Sequence, residues 1–74
     1  METIETKPIH IVVNGVSKTI PAGLNVAELL GVLEIDPGKV AVELNRVIVR
    51  KKDWAVTMVG EGASVEVVWF VGGG

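Results

Sequence analysis

The chain has 74 residues, 49% of them hydrophobic, no cysteine and a formal net charge of -2. That length allows one small domain, which buries only about 60% of the surface its unfolded chain exposes. The mild acidity argues against an electrostatic nucleic-acid binder, the missing cysteines remove disulfides, thiolate metal sites and cysteine nucleophiles, and no apolar run approaches the ~20 residues of a membrane span.

Residues 1–8 read as a solvated extension, polar and without the apolar core of a secretion signal. A soluble cytoplasmic protein, monomeric when free, is the expectation. Ile9, Ile11 and Val13 alternate as one face of a strand. Asn14-Gly15 then signals a two-residue hairpin, because a type I′ turn needs positive φ at both positions. A return strand runs over 16–20, and Pro21-Ala22-Gly23 ends it.

Asn25 is placed to cap a helix, with Glu28 three residues on to complete a capping box. Val26, Leu29, Leu30 and Leu33 follow at i, i+3, i+4 and i+7, one apolar stripe. Gly31 inside it costs about 1 kcal/mol relative to Ala, so the helix should be short and held by packing. After the Asp36-Pro37-Gly38 turn, residues 40–44 alternate as a strand, and Asn45-Arg46 connects tightly to a short strand over 47–49. Residues 51–54 are expected to make a helical turn that folds Trp54 over the core. A turn at 60–63 leads into the last strand, 64–70.

A hairpin, one helix and a further antiparallel pair form an α+β arrangement, with a mixed sheet of four to five strands and a crossover helix on one face. This is the β-grasp, or ubiquitin-like, architecture, in which the last strand lies centrally beside the first. Residues 1–8 are then an extension, 9–70 the domain and 71–74 a flexible tail. That tail, Val71-Gly72-Gly73-Gly74, is the most informative segment. Glycine loses more conformational freedom on ordering than any other residue, so three in succession do not stabilise a fold. Four residues reach at most roughly 14 Å from the folded body, enough to enter a neighbouring pocket through a slot too narrow for side chains. On the tail alone, a frayed end is nearly as good a reading.

Several segments together resemble the ThiS family, the sulfur-carrier proteins of thiamin biosynthesis. They are Ile11-Val12-Val13-Asn14-Gly15, Asn25-Val26-Ala27-Glu28-Leu29-Leu30, Val40-Ala41-Val42-Glu43-Leu44-Asn45, Ile48-Val49, Trp54, and Val65-Glu66-Val67-Val68-Trp69-Phe70-Val71-Gly72-Gly73-Gly74. The last is the most specific, joining strand alternation to the glycines at a fixed spacing. The chain departs from the family pattern at Arg50-Lys51, where Pro-Arg is usual, and at Glu61-Gly62-Ala63, where Asp-Gly-Asp is usual.

The resemblance implies a co-substrate of other enzymes, with no active site of its own. A ubiquitin-activating-type adenylyltransferase would use ATP and Mg²⁺ to adenylate the Gly74 carboxylate. A sulfur donor such as a cysteine desulfurase would convert it to a thiocarboxylate, and a thiazole synthase would take the sulfur. Val71, Gly72 and Gly73 would thread the partners' channels. Carriers serving molybdopterin or tRNA thiolation, and ubiquitin-like modifiers, share this logic and remain alternatives.

The helix covers only one sheet face, yet the last strand is apolar on both near its end. Val68 and Phe70 are therefore expected to face a partner, with Val65 and Val67 in the core; Trp69 has no assigned face. His10, the single histidine, reads as a solvated strand position. Arg46, Arg50, Lys51 and Lys52 read first as a solvated edge and second as a docking surface for an acidic partner.

Overall fold

Asn14 and Gly15 turn the chain between strands β1 (Ile9–Val13) and β2 (Val16–Ile20), with φ of 49° and 81°, the doubly positive pair that a type I′ hairpin requires. The computed structural model describes residues 7–71. Helix α1 (Val26–Val32), β3 (Val40–Leu44), β4 (Val47–Val49) and β5 (Ser64–Trp69) follow, with 3-10 segments at Pro37–Lys39 and Lys51–Val56. The sheet order is β2-β1-β5-β3-β4; β1 and β5 are parallel and every other neighbouring pair is antiparallel. The β-grasp expected from the order of elements is the fold observed, and the last strand is central.

The capping box at α1 is complete. The Glu28 amide donates to Asn25 Oδ1 at 2.7 Å, and the Asn25 amide donates to Glu28 Oε1 at 3.0 Å. Seven residues are too few for an isolated helix in water, so tertiary packing sustains it. Val26, Leu29 and Leu30 are fully buried against Ile11, Val42 and Val65 of the sheet. At ~1.5–3 kcal/mol for each such side chain, their burial outweighs the cost of Gly31.

Trp54 is buried at the edge of this core, and its indole N–H donates to the Val49 carbonyl at 2.8 Å. The 3-10 segment that delivers it runs to Val56, two residues beyond the turn expected. β5 ends at Trp69, one residue short of expectation, because its neighbour β3 begins only at Val40. One further backbone bond, from Phe70 N–H to the Lys39 carbonyl at 2.9 Å, prolongs the ladder past the strand.

Alternation assigns the two faces. Val40 and Val42 on β3, with Val65 and Val67 on β5, point to α1 and are buried. Ala41, Glu43, Ile48, Glu66, Val68 and Phe70 lie on the other face, where no element covers the sheet. In the β3–β5 register Ala41 stands opposite Val68 and Glu43 opposite Glu66. Ile48 on β4 stands opposite Glu43.

Candidate functional site

The end of β5 is held from both sides before the chain leaves the body. On one side β3 pairs with it through to Trp69. On the other, β1 stops at Val13 and the Asn14 side chain takes over. The Val67 amide donates to Asn14 Oδ1 at 2.7 Å, and Asn14 Nδ2 donates to the Val67 carbonyl at 3.1 Å. Val71 then stands 94% exposed. Gly72, Gly73 and Gly74, on which the expected chemistry falls, lie outside the described residues.

Val68 and Phe70 are both exposed on the open sheet face, Phe70 at 62%. Ile48, at 72%, joins them; a three-residue strand shows too little alternation for sequence reasoning to have placed it. Ala41, Val68, Ile48 and Glu43 share a shallow notch, and Ala41, Ile48, Phe70, Arg50 and Lys51 share a second, of about 210 Å³. A notch of that size is smaller than the ~300–1,000 Å³ typical of small-molecule sites. It suits one or two side chains of another protein.

Trp69 shares the parity of Val65 and Val67 but is half exposed. It lies opposite Val40 at the end of the β3–β5 ladder. The four basic residues do not form one patch. Arg46 sits in the turn at one end of β4, whereas Arg50 and Lys51 flank the other end beside Phe70, and Lys52 lies in the 3-10 segment away from the notch.

His10 is exposed, and its contacts are structural. Its backbone N–H donates to the Glu61 carboxylate at 3.2 Å, the Gly62 amide donates to the His10 carbonyl at 2.8 Å, and His10 Nδ1 lies 3.7 Å from Glu61 Oε1. These contacts tie the loop preceding β5 to β1. Among the described residues no group of three or more His, Asp or Glu side chains is arranged to hold a metal ion, and no helix is long and apolar enough to cross a membrane.

A family model described as the ThiS family matches residues 11–74. Among solved structures, the crystal structure of a thiamine biosynthesis protein (ThiS) from Geobacter metallireducens superposes with a TM-score of 0.78 at 36% identity, over 89% of this chain and all of that one. An NMR solution structure of a thiamine biosynthesis protein from the same organism gives 0.73 at 36% identity, over 89% and 88%. Two curated relatives are named thiazole synthase. The protein from Paramagnetospirillum magneticum is 44% identical over 66 residues, and that from Magnetococcus marinus 38% over 66 residues. The match takes in 89% of this chain and 20% of each relative, so the chain spans about a fifth of their length.

Proposed function

The chain belongs to the ThiS family, and from that membership we propose that it is a sulfur carrier for the thiazole ring of thiamin, a covalent co-substrate of other enzymes. Gly74 is the reacting residue. A carboxylate is ionised at neutral pH, with a reference pKa of about 3.3–3.7, and resists nucleophilic attack until it gains a leaving group. An adenylyltransferase of the ubiquitin-activating type supplies one. The Gly74 carboxylate attacks the α-phosphorus of Mg²⁺-bound ATP, and pyrophosphate departs. The terminal sulfur of a persulfide, carried by a donor such as a cysteine desulfurase, then attacks the acyl carbon and expels AMP. A second thiol cleaves the S–S bond and releases the thiocarboxylate. A thiazole synthase consumes it, a partner suggested by the names of the two curated relatives.

The chain's own residues aim and present this group. β5 fixes the root of the tail, Val71, Gly72 and Gly73 run through the partner's channel without bulky side chains at the glycines, and Val68 and Phe70 face the partner. The carrier is a monomer when free and works in the cytoplasm, where ATP and cysteine-derived sulfur are at hand. The observation that supports this reading is that the central strand ends beside an uncovered apolar face, with Val71 beyond it 94% exposed.

The test is incubation with a cognate adenylyltransferase, ATP, Mg²⁺ and a persulfide donor, followed by intact and peptide mass spectrometry. One oxygen should be replaced by sulfur, within the C-terminal peptide. A gain on an internal peptide, or none with any carrier-activating enzyme, refutes the reading.

A further inference from the structure

Asn14-Gly15 is the single Asn-Gly step in the sequence; Asn25 and Asn45 precede Val26 and Arg46. An asparagine before glycine is open to attack on its own carboxamide, because no Cβ on the following residue crowds the backbone nitrogen. Here both turn residues are exposed to water, and a side chain at Gly15 would meet nothing within 4 Å. The Gly15 N–H has no acceptor among the described residues. The carboxamide, by contrast, is occupied. Asn14 Oδ1 accepts from the Val67 N–H at 2.7 Å and Nδ2 donates to the Val67 carbonyl at 3.1 Å, which holds the side chain to β5. Attack by the Gly15 nitrogen closes a five-membered ring and lays the carboxamide along the hairpin's own backbone. The side chain must therefore release Val67 before it reacts.

We propose that Asn14-Gly15 is a self-modification site gated by the clamp on Val67, with solvent water as its co-reactant. When the clamp opens, the Gly15 nitrogen gives its proton to solvent base and bonds to Asn14 Cγ. The Cγ–Nδ2 bond breaks, and Nδ2 takes a proton from solvent and leaves as ammonia. Water then adds to either carbonyl of the cyclic imide and breaks one ring C–N bond, leaving aspartate or isoaspartate at position 14. Nothing is oxidised or reduced, and no partner enzyme is needed. The departing atom is the one that donated to the Val67 carbonyl, and the carboxylate that replaces the amide only accepts. Its second oxygen would face the Val67 carbonyl, acceptor against acceptor, and the isoaspartyl form also lengthens the turn backbone by one carbon. The clamp does not re-form. Each opening that reacts is thus fixed as a loosened end of β5 carrying one more negative charge.

The test is incubation of the full chain at mildly alkaline pH, in buffer and in a urea series that ends beyond unfolding. Peptide mass spectrometry, an ammonia assay and amide exchange are run on the same samples. Conversion should be confined to the peptide that carries Asn14. It should run at least about 10-fold more slowly in buffer than in the unfolded chain, since opening the clamp costs two hydrogen bonds. Below the unfolding transition its rate should follow exchange of the Val67 amide, and not that of Leu30, which is buried in the core. The purified product should exchange Val67 faster and melt lower than the unreacted chain. Equal rates in buffer and in urea overturn the proposal, because the clamp then gates nothing. A rate that follows Leu30 overturns it too, since the gate is then global unfolding. So does earlier conversion at Asn25 or Asn45, or no conversion in the unfolded chain. The Asn14→Asp variant, which carries one of the two products from the start, should reproduce the faster exchange at Val67; protection equal to that of wild type would mean that the clamp re-forms, and the one-way loosening fails.

Discussion

The carboxamide of Asn14 bonds both backbone polar groups of Val67, accepting from its N–H at 2.7 Å and donating to its C=O at 3.1 Å. A side chain thus stands in for the residue that β1 lacks, and the same asparagine makes the hairpin at φ 49°. Asn14→Gly separates the two roles, because glycine keeps the turn and deletes the clamp. Two hydrogen bonds at ~0.5–1.5 kcal/mol each set the expected loss at about 1–3 kcal/mol in denaturant unfolding. Amide exchange at Val67, whose N–H loses its acceptor, should accelerate by more than that at residue 14, whose own N–H keeps its bond to the Val65 carbonyl.

Phe70→Ala should leave the protein folded. The ring is 62% exposed, whereas truncating a core Phe costs about 3–5 kcal/mol. A central interface aromatic contributes ~2 kcal/mol or more to binding, so affinity for the adenylyltransferase should drop by about 30-fold. Unfolding of this variant, with normal adenylation of whatever stays folded, would place the ring in the core instead.

Removing Gly73 and Gly74 should change stability by no more than about 0.5 kcal/mol, the range of ordinary surface changes, and should abolish sulfur transfer. A melting curve and a thiocarboxylation assay on the same preparation settle both halves. A large drop in stability would mean that the tail packs on the body and does not thread a channel.

Arg46→Gly should stabilise. Asn45 and Arg46 have φ of 50° and 69°, the left-handed region that costs a side chain-bearing residue about 1–2 kcal/mol, and Asn-Gly is the preferred pair for such a turn. A gain of about 0.5–1 kcal/mol in thermal unfolding is expected, after the extra chain entropy of glycine is set against it.

The two tryptophans should report different surroundings. Trp54 is buried with its N–H bonded to Val49, and Trp69 is half exposed. Acrylamide should quench the Trp54→Phe variant, in which Trp69 alone emits, more strongly than the Trp69→Phe variant. Equal quenching would contradict the depth of Trp54.

Local chemistry made much of this legible in advance. Asn14-Gly15 defines its turn by what its φ values permit, and Asn25 with Glu28 defines a helix start by reciprocal hydrogen bonds. The stripe of Val26, Leu29 and Leu30 marks the buried face. What stayed hidden depends on register, which no local pattern encodes. That Glu43 meets Glu66 follows from how the Asn45-Arg46 turn and the Asn45 side chain, accepting from the Ser64 amide at 2.9 Å, lock β3 to β4 and β5. The half exposure of Trp69 goes with its place at the last pair of the β3–β5 ladder, and the division of the basic residues follows from the length of β4. The asparagine clamp was hidden for the same reason, since a turn signal says nothing about a strand fifty residues away.

The central placement of β5 between β1 and β3 also determines how the molecule bears load. A pull on the chain beyond β5, directed along the strand, acts across the ladder bonds on either side. Such a force is shared by both ladders and the Asn14 clamp at once, instead of opening them one at a time as it would at the end of an edge hairpin. The body is thus braced against a pull directed along β5.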